Sequence, residues 1–240
     1  MIKEALQYIV GLNKPELVEV GGETYSDKNL HRVNHNPKAV ELRLKTLTSL
    51  IDYIESGADE MADKMILHVE NPELVWLTSK LDEDRERETL IQAVAEIPGF
   101  DFGRFIPHEE FCVALRSRFI ETEDQKLLLK FAGTVEAGTV ARYSDDGVTQ
   151  KATVKTGIAS KCDAVVPGLV TLKPYRTFIN LEQPESQFLF RMRDGRDGVE
   201  CALFEADGGA WKDEARASIH NYLEDAIDKM GKRKRFTVIS

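Results

Sequence analysis

Cysteine is scarce in this chain of 240 residues, which has only Cys112, Cys162 and Cys201, far apart from one another. No Cys-x-x-Cys pair and no Cys/His cluster occurs, so the sequence predicts neither a zinc site nor a disulfide framework. All three cysteines lie among apolar or small residues, as free cysteines packed in a core commonly do. A reducing cytoplasm is the simplest compartment to expect.

Long apolar runs are also missing. No run approaches the length of about 18 residues that a membrane-spanning helix needs. The N-terminal segment MIKEALQYIVGL is too short and too polar for a signal peptide, and no small-residue cleavage site follows it. Its apolar spacing favours an amphipathic helix instead. Together with the cysteine usage, these absences predict a cytoplasmic protein with no membrane partner.

Catalytic motifs are absent as well: no GxxxxGK[ST], GxGxxG, HExxH, EF-hand or GxSxG pattern occurs. Lys155-Thr156-Gly157 matches one element of the penicillin-recognising enzymes, but no Ser-x-x-Lys nucleophile accompanies it. None of the five histidines has a metal-ligand spacing with a second histidine or cysteine in a segment that favours a helix. The sequence therefore assigns no catalytic residue, metal or cofactor, and it favours a non-enzymatic protein over an enzyme without a recognisable motif.

The apolar spacing predicts an α+β fold with largely antiparallel sheets. Helical spacing occurs at 47–54, at 108–119 and at 211–230, the last being a long C-terminal amphipathic helix. Strands that follow one another through tight turns argue against a doubly wound parallel sheet. Strands are predicted at 65–69, 74–81, 89–97, 126–131 (where a helix is the alternative), 170–179, 187–193 and 199–206.

The chain length fits one domain, with two as the alternative. A polar stretch at 26–40, interrupted by Asn36-Pro37, reads as a loop, arm or linker. We expect a single domain over 1–240, in which an N-terminal arm of helix and hairpin, 1–40, precedes a core of 41–240.

Charge is unevenly distributed along the chain. The net charge is −9, which argues against non-specific DNA binding over the whole surface. Between Gln125 and Lys161, however, six basic residues stand against three acidic ones, so this stretch is +3 and the remainder is −12. A local basic region in an acidic protein is a candidate for binding an anion.

A basic hairpin lies within this stretch. Asp146-Gly147 between two β-rich runs is a strong hairpin signal. Because side chains alternate along a strand, Thr149, Lys151, Thr153 and Lys155 share a face. With a turn of two or four residues, Arg142 is predicted to lie on that face too.

This combination of residue types suits a phosphate group. Lysine supplies a point charge, arginine a two-pronged donor and threonine a short hydroxyl donor. The alternative is a solvated hairpin face without a ligand. The predicted ligand-binding residues are Arg142, Thr149, Lys151, Thr153, Lys155 and Lys161.

A second basic cluster is predicted further along the chain. Arg191 and Arg193 share a strand face opposite Phe188, Phe190 and Met192, which we expect in the core. The arginine face is either solvated or binds an acidic or aromatic partner. The cluster consists of Lys173, Tyr175, Arg176, Arg191 and Arg193.

The blocks KTLTSLIDYIESGADEMADKMILHV, LLLKFAGTVEAGTV, DDGVTQKATVKTG, YRTFINLEQPESQFLFRMR and CALFEADGGAW carry a family resemblance. They resemble hypothetical proteins of bacteriophages and prophages of Gram-positive bacteria that are related to the YfdQ-like family, over roughly Thr46 to Asp228. The resemblance implies a phage protein made in the cytoplasm of the infected host, as an early or accessory product and not a virion component. It implies no catalytic residues.

A second likeness concerns shape alone. Two successive units of one helix and three strands resemble DNA sliding clamps, which are also acidic proteins with a basic DNA-facing lining. The clamps carry their cations on the lining helices, whereas the helix at 44–54 has little beyond Lys45.

These observations lead to one functional expectation and two alternatives. We expect a phage accessory protein that binds a small anionic, nucleotide-type ligand and sequesters a host immune signal. The first alternative is a DNA replication or recombination accessory, clamp-like or DNA-binding. The second is an inhibitor that binds a host defence enzyme. A homo-oligomer is compatible with each.

Overall fold

A computed structural model describes residues 2–11, 15–29, 38–135, 141–142, 150–155, 161–165, 167–196 and 198–240. These residues form five helices and fifteen strands. The fold is α+β with mainly antiparallel sheets and a long C-terminal helix, which confirms the predicted class. The chain divides into two compact units, unit 1 (Met1–Lys38) and unit 2 (Ala39–Ser240). The single domain stays a prediction.

Unit 1 consists of α1 (Ile2–Gly11) and an antiparallel hairpin of β1 (Leu17–Val20) and β2 (Glu23–Ser26). The turn at Gly21 and Gly22 has positive φ angles of 64° and 84° at its two residues, which glycine adopts without steric cost. Val18 pairs with Tyr25 across the hairpin, and both side chains are exposed.

Unit 2 holds the remaining elements. In chain order they are β3 (Leu42–Leu44), α2 (Leu47–Ser56), β4 (Met65–Asn71), β5 (Leu74–Ser79), β6 (Thr89–Val94), β7 (Ile106–Pro107), α3 (His108–Arg118), β8 (Phe119–Ile120), α4 (Glu123–Ala132), β9 (Ala141–Arg142), β10 (Gln150–Lys155), β11 (Lys161–Val165), β12 (Leu169–Pro174), β13 (Ser186–Gly195), β14 (Gly198–Glu205), α5 (Trp211–Lys229) and β15 (Phe236–Ile239).

Sheet I has five strands in the order β15-β4-β5-β6-β3. Its two edge strands, β15 and β3, pair in parallel with their neighbours, and the inner pairs are antiparallel. Helices α2 and α5 cover one face, where Leu50 and Ile219 pack against Leu67 and Leu77. The Thr46 side chain caps α2 by accepting from the Ser49 backbone N–H at 3.1 Å, and Gly57 ends it with φ 60°.

Sheet II has five strands in the order β7-β14-β13-β12-β8. Helices α3 and α4 cover one face, where Phe111 and Leu128 join a core rich in aromatic residues. Along β13, Phe188, Phe190 and Met192 are buried and alternate with more exposed residues, which confirms their prediction as core.

The predicted strand at 126–131 is wrong, and its helical alternative is right. The segment lies in α4, which begins after Thr122, whose side chain accepts from the Gln125 backbone N–H at 3.1 Å. Leu128 and Phe131, three residues apart, are buried on one side, whereas Leu127 is 48% exposed. A threonine cap and an acidic first turn outweigh the strand-like run of apolar residues.

The predicted strand at 170–179 is also shorter than expected, because β12 ends at Pro174 and the chain then leaves sheet II. Phe178 is fully buried in the core of sheet I. Thr177 Oγ1 donates to the carbonyl of Pro72 at 2.5 Å. The segment 175–183 therefore joins the two sheets, and we call it the bridging segment.

Gln183 fixes the conformation of the bridging segment. It is 2% exposed, and its Oε1 accepts from the backbone N–H groups of Arg176 at 2.8 Å and Thr177 at 3.1 Å. Its Nε2 donates to the carbonyls of Phe178 at 3.2 Å and Leu181 at 3.3 Å. One buried amide thereby satisfies four backbone groups that no sheet partner reaches.

Candidate functional site

The predicted basic hairpin belongs to a third sheet, of order β11-β10-β9. β10 is the middle strand and pairs antiparallel with both neighbours. Thr149 lies outside the described residues, as do the turn residues Asp146 and Gly147. The structure gives the backbone position and the strand register of the other predicted binding residues, which are Arg142, Lys151, Thr153, Lys155 and Lys161.

The register corrects the placement of Arg142. Arg142 pairs with Gln150, and Ala141 pairs with Lys151. Residues directly opposite in an antiparallel pair share a face, so position 142 shares a face with 150 and not with 151, 153 and 155. The prediction is wrong because it assumed a turn of two or four residues, whereas seven residues, 143–149, separate the paired positions.

The same geometry brings Lys161 to the predicted face. Lys155 lies directly opposite Lys161, and Thr153 lies opposite Asp163. Positions 151, 153 and 155 alternate onto this face together with 161 and 163. We call Lys151, Thr153, Lys155 and Lys161 the lysine face; with Asp163, its charge is three positive minus one negative, or +2.

In the second predicted cluster, the cations whose contacts are resolved have acidic partners. Lys173 Nζ lies 3.0 Å from Glu182 and 3.3 Å from Glu185, and hydrogen bonds to these two carboxylates raise the pKa of Lys173. Arg193 Nε lies 2.6 Å from Glu200. Tyr175 contributes a backbone N–H that donates to the carbonyl of Arg118, and Arg191 lies opposite Ala202.

Arg193 also stacks on an aromatic ring, with its guanidinium carbon 4.2 Å from the ring centre of Phe105. A cation that already has a carboxylate and a ring as neighbours gains less from an added anion than an unpaired one. Binding of an acidic or aromatic partner to this cluster stays a prediction.

Arg176 stands apart from that cluster because it is buried, with 4% of its surface exposed. Its Nη1 donates to Glu205 at 2.9 Å and its Nη2 donates to Ser186 Oγ. The guanidinium lies 4.1 Å from the ring centre of Trp211. Burial lowers the pKa of Arg176, against the opposing effect of Glu205 and Asp207. Arg176 therefore joins internal groups to one another.

Asp207 continues this network toward α5. Its Oδ2 accepts from Ser186 Oγ at 2.6 Å, and its Oδ1 accepts from the Gly209 backbone N–H at 3.0 Å. Burial alone raises the pKa of Asp207, but these hydrogen bonds and the charge of Arg176 outweigh it, so the net pKa is lowered. The network fixes the start of α5 beside sheet II.

The basic run at 232–235 is also engaged within the fold. Lys232 Nζ donates to the carbonyl of Ile54, in the last turn of α2, at 2.7 Å. Arg233 Nη1 donates to Asp228 at 2.6 Å, and Arg235 Nη2 donates to the carbonyl of Met61 at 2.8 Å. These hydrogen bonds hold the end of α2 and the start of β15. The basic run therefore has a structural role.

One surface was missed by sequence reasoning: the face of sheet I that faces away from α2 and α5, which we call the outer face. Trp76 stands on the middle strand with His68 directly opposite on one side and Gln92 on the other. Trp76 Nε1 donates to the carboxylate of Glu70. By register and by this hydrogen bond the outer face consists of Arg43, Ile66, His68, Glu70, Leu74, Trp76, Thr78, Thr89, Gln92, Val94, Thr237 and Ile239.

A sequence signal for the outer face existed. In β5, Leu74 and Trp76 alternate with the buried Val75 and Leu77, so the strand is apolar on both faces. A strand with only one buried face normally alternates apolar and polar residues.

Burial disfavours the thiolate form of the two described cysteines. Burial raises the pKa of both Cys112 and Cys201, and Cys201 is completely buried. Within the described ranges, no group of three or more His, Cys, Asp or Glu side chains is placed to hold a metal ion. None of the helices that the structure describes is long and apolar enough to cross a membrane.

Comparison with known proteins adds no identification beyond the α+β class. No family model matches the chain, and no curated protein or solved structure matches it significantly. The resemblance to phage proteins therefore remains a prediction from the sequence.

Proposed function

We propose that this protein binds a phosphorylated, nucleotide-type ligand on the lysine face, without chemically changing it. The observation that carries the proposal is the direct opposition of Lys155 and Lys161 in the β10–β11 register. Like charges directly opposite on neighbouring strands are destabilising. An anion bound between them turns this repulsion into an attraction.

The repulsion between the two lysines is large enough to favour binding of an anion between them. Directly opposite strand positions bring their Cβ atoms to about 5 Å, and two ammonium groups about 10 Å apart repel by about 1–2 kcal/mol near a protein surface. A phosphate between them supplies up to two negative charges and several acceptor oxygens. Lys151 and Thr153, on the same face, add a third cation and a hydroxyl donor.

The negative charge of the remaining chain favours a small anion over a large polyanion as the ligand of the lysine face. The chain carries −9 overall, so its long-range field repels large polyanions, whereas the lysine face attracts a small anion at close range. Capture needs only matching shape and charge, with no nucleophile or metal. The resemblance to phage proteins supports a role as an accessory protein that sequesters a nucleotide signal of host immunity.

Isothermal titration calorimetry tests the proposal against a panel of cyclic mononucleotides, cyclic dinucleotides and ADP-ribose-type nucleotides. At least one member should bind the wild type, and binding should weaken by about tenfold or more for each of Lys155→Gln and Lys161→Gln. The matched control is Lys229→Gln, which removes the same charge from the exposed end of α5. The proposal fails if no member binds, or if both variants bind as tightly as the wild type.

DNA binding is the second candidate, based on the sequence likeness to sliding clamps. Of the two predicted units of one helix and three strands, α2 with β4, β5 and β6 is present, whereas α3 is followed by β8 and then by a second helix, α4, so the second unit is wrong. The helices weaken it, because α2 carries Asp52 and Glu55 and no lysine or arginine, and α5 has five acidic residues against three basic ones. A steep fall of DNA affinity with salt would favour this candidate. Nucleotide binding without DNA binding would exclude it.

A further inference from the structure

Asp163 is an acidic residue at the centre of the lysine face. It lies directly opposite Thr153, one step along the strands from the facing pair of Lys155 and Lys161. Two residues along a strand cover about 6.6 Å, and diagonal neighbours on paired strands lie about 7–8 Å apart. Position 163 therefore has a lysine position as a neighbour along its own strand, at 161, and on both diagonals, at 151 and 155.

A carboxylate at this position is unfavourable for binding a bare phosphate. Its negative charge repels any anion that the neighbouring lysines attract, so it lowers the affinity of the face for anions in general. An ionised carboxylate only accepts hydrogen bonds. Asp163 therefore favours a ligand that brings a hydrogen-bond donor next to its phosphate.

The hydroxyl groups of a ribose are donors of this kind, because they lie on the same sugar as the 5′-phosphate. In dinucleotide-binding folds an aspartate or glutamate near the phosphate site accepts from a ribose hydroxyl. That comparison concerns the chemistry of the groups and not the fold. Thr153, opposite Asp163, has a hydroxyl that donates and accepts, so the pair suits two neighbouring hydroxyls.

The facing lysines indicate which phosphate group suits this end of the face. Two cations at one register step match a group with more than one negative charge, such as a diphosphate. The phosphodiester of a cyclic nucleotide carries a single charge, and its ring uses the 3′ oxygen. Both differences favour an open nucleotide over a cyclic one.

We propose that the pair of Thr153 and Asp163 selects nucleoside diphosphates with free ribose hydroxyls, an inference that rests on the proposed function. Lys155 and Lys161 bind the diphosphate, and Asp163 accepts a hydrogen bond from a ribose hydroxyl one step along the strands. A ligand without that donor leaves the carboxylate unpaired beside its phosphates, and this difference gives the selectivity.

Isothermal titration calorimetry of the full chain tests the proposal with ADP, 2′,3′-dideoxy-ADP and pyrophosphate. All three contain a diphosphate, and the two nucleotides differ only in the ribose hydroxyls. The wild type should bind ADP at least about tenfold more tightly than dideoxy-ADP. This comparison needs no variant, so it does not depend on the folding of a mutant.

Asp163→Asn supplies a test of sign. It should weaken ADP binding by about tenfold, because the strong acceptor is lost, and it should tighten pyrophosphate binding, because the repulsion is lost. The matched control is Asp225→Asn, at an exposed position of α5, which should change neither affinity. Circular dichroism checks that each variant is folded.

The outcomes separate this inference from the proposed function. Equal binding of ADP and dideoxy-ADP overturns the inference, as does an Asp163→Asn variant that binds ADP and pyrophosphate more tightly alike. The second result would mean that Asp163 only repels anions. Binding of a cyclic nucleotide without ADP binding also overturns the inference and leaves the proposed function standing. If no nucleotide binds at all, both fail.

Discussion

Sheets I and II have similar inner faces and different outer faces. Each inner face packs against two helices through large apolar residues. The outer face of sheet II carries charges with partners within the chain, such as Arg193 with Glu200 and Lys173 with Glu182. The outer face of sheet I carries Trp76, with the Glu70 carboxylate hydrogen-bonded to it, and Arg43 at the edge strand. Removing water from the first would cost desolvation of several ion pairs, whereas removing it from the second would cost desolvation of Glu70 and Arg43.

This contrast indicates which sheet faces of a highly charged protein can form contacts with another molecule. A sheet face with cross-strand ion pairs already provides partners for its charges. A sheet face with apolar residues and neutral polar residues gains free energy when another surface covers it. The lysine face of the third sheet is different again, because two lysines occupy directly opposite positions in the strand register.

The largest effect is expected at the link between the two sheets. Phe178→Ala should lower the free energy of unfolding by about 3–5 kcal/mol, because it empties a fully buried site in the core of sheet I. Ile179→Ala, one residue along and 72% exposed, should change it by less than about 0.5 kcal/mol. Urea denaturation measures both, and a loss below 1 kcal/mol for Phe178→Ala would contradict the role of the bridging segment.

A smaller loss is expected from the buried arginine. Arg176→Ala should cost about 2–3 kcal/mol, below the range for a fully buried ion pair because the Glu205 side chain is 34% exposed. Arg176→Lys should recover only part of the loss, since lysine cannot reach both Ser186 and Glu205 with a planar fork. Thermal denaturation measures the loss of stability in both variants. If Arg176→Ala is as stable as the wild type, the network does not contribute to stability.

The carboxylate of the same network gives a pH-dependent effect. The folded-state pKa of Asp207 is lowered, so its contribution is present above the unfolded value of about 3.9 and is lost as the pH falls through the folded value. Asp207→Asn should therefore cost at most about 1 kcal/mol at pH 7, and this difference should shrink toward pH 3. A difference that stays constant between pH 6 and pH 3 would contradict the assignment.

The smallest effect is expected on the outer face of sheet II. Arg193→Gln removes an exposed ion pair, with the arginine side chain 57% exposed, and should cost less than about 1 kcal/mol. The cost should fall further in high salt because exposed charges are screened. Urea denaturation at low and high salt measures it, and a loss larger than that of Arg176→Ala would invert the distinction between the two arginines.

Much of the fold could be predicted because local patterns agree with the tertiary structure. The alternation at Phe188, Phe190 and Met192 located β13, and helical spacing from Trp211 located α5. The register of β9 against β10 could not be predicted, because the length of one loop decides which residues share a face.

Contacts between distant segments escaped the sequence for a related reason. Phe178 enters a core formed by another sheet, and Arg176 meets Glu205 and Trp211 only after the strands assemble. The outer face of sheet I depends on five strands from three parts of the chain. No local pattern encodes which strands become neighbours.

The central claim is that Lys155 and Lys161 together hold one phosphorylated ligand. Lysine-reactive labelling read by mass spectrometry, with and without a saturating nucleotide that binds, tests it most directly. We expect the ligand to slow labelling at both lysines while Lys229 reacts as before. Equal labelling of Lys155 and Lys161 with and without that nucleotide would contradict the claim.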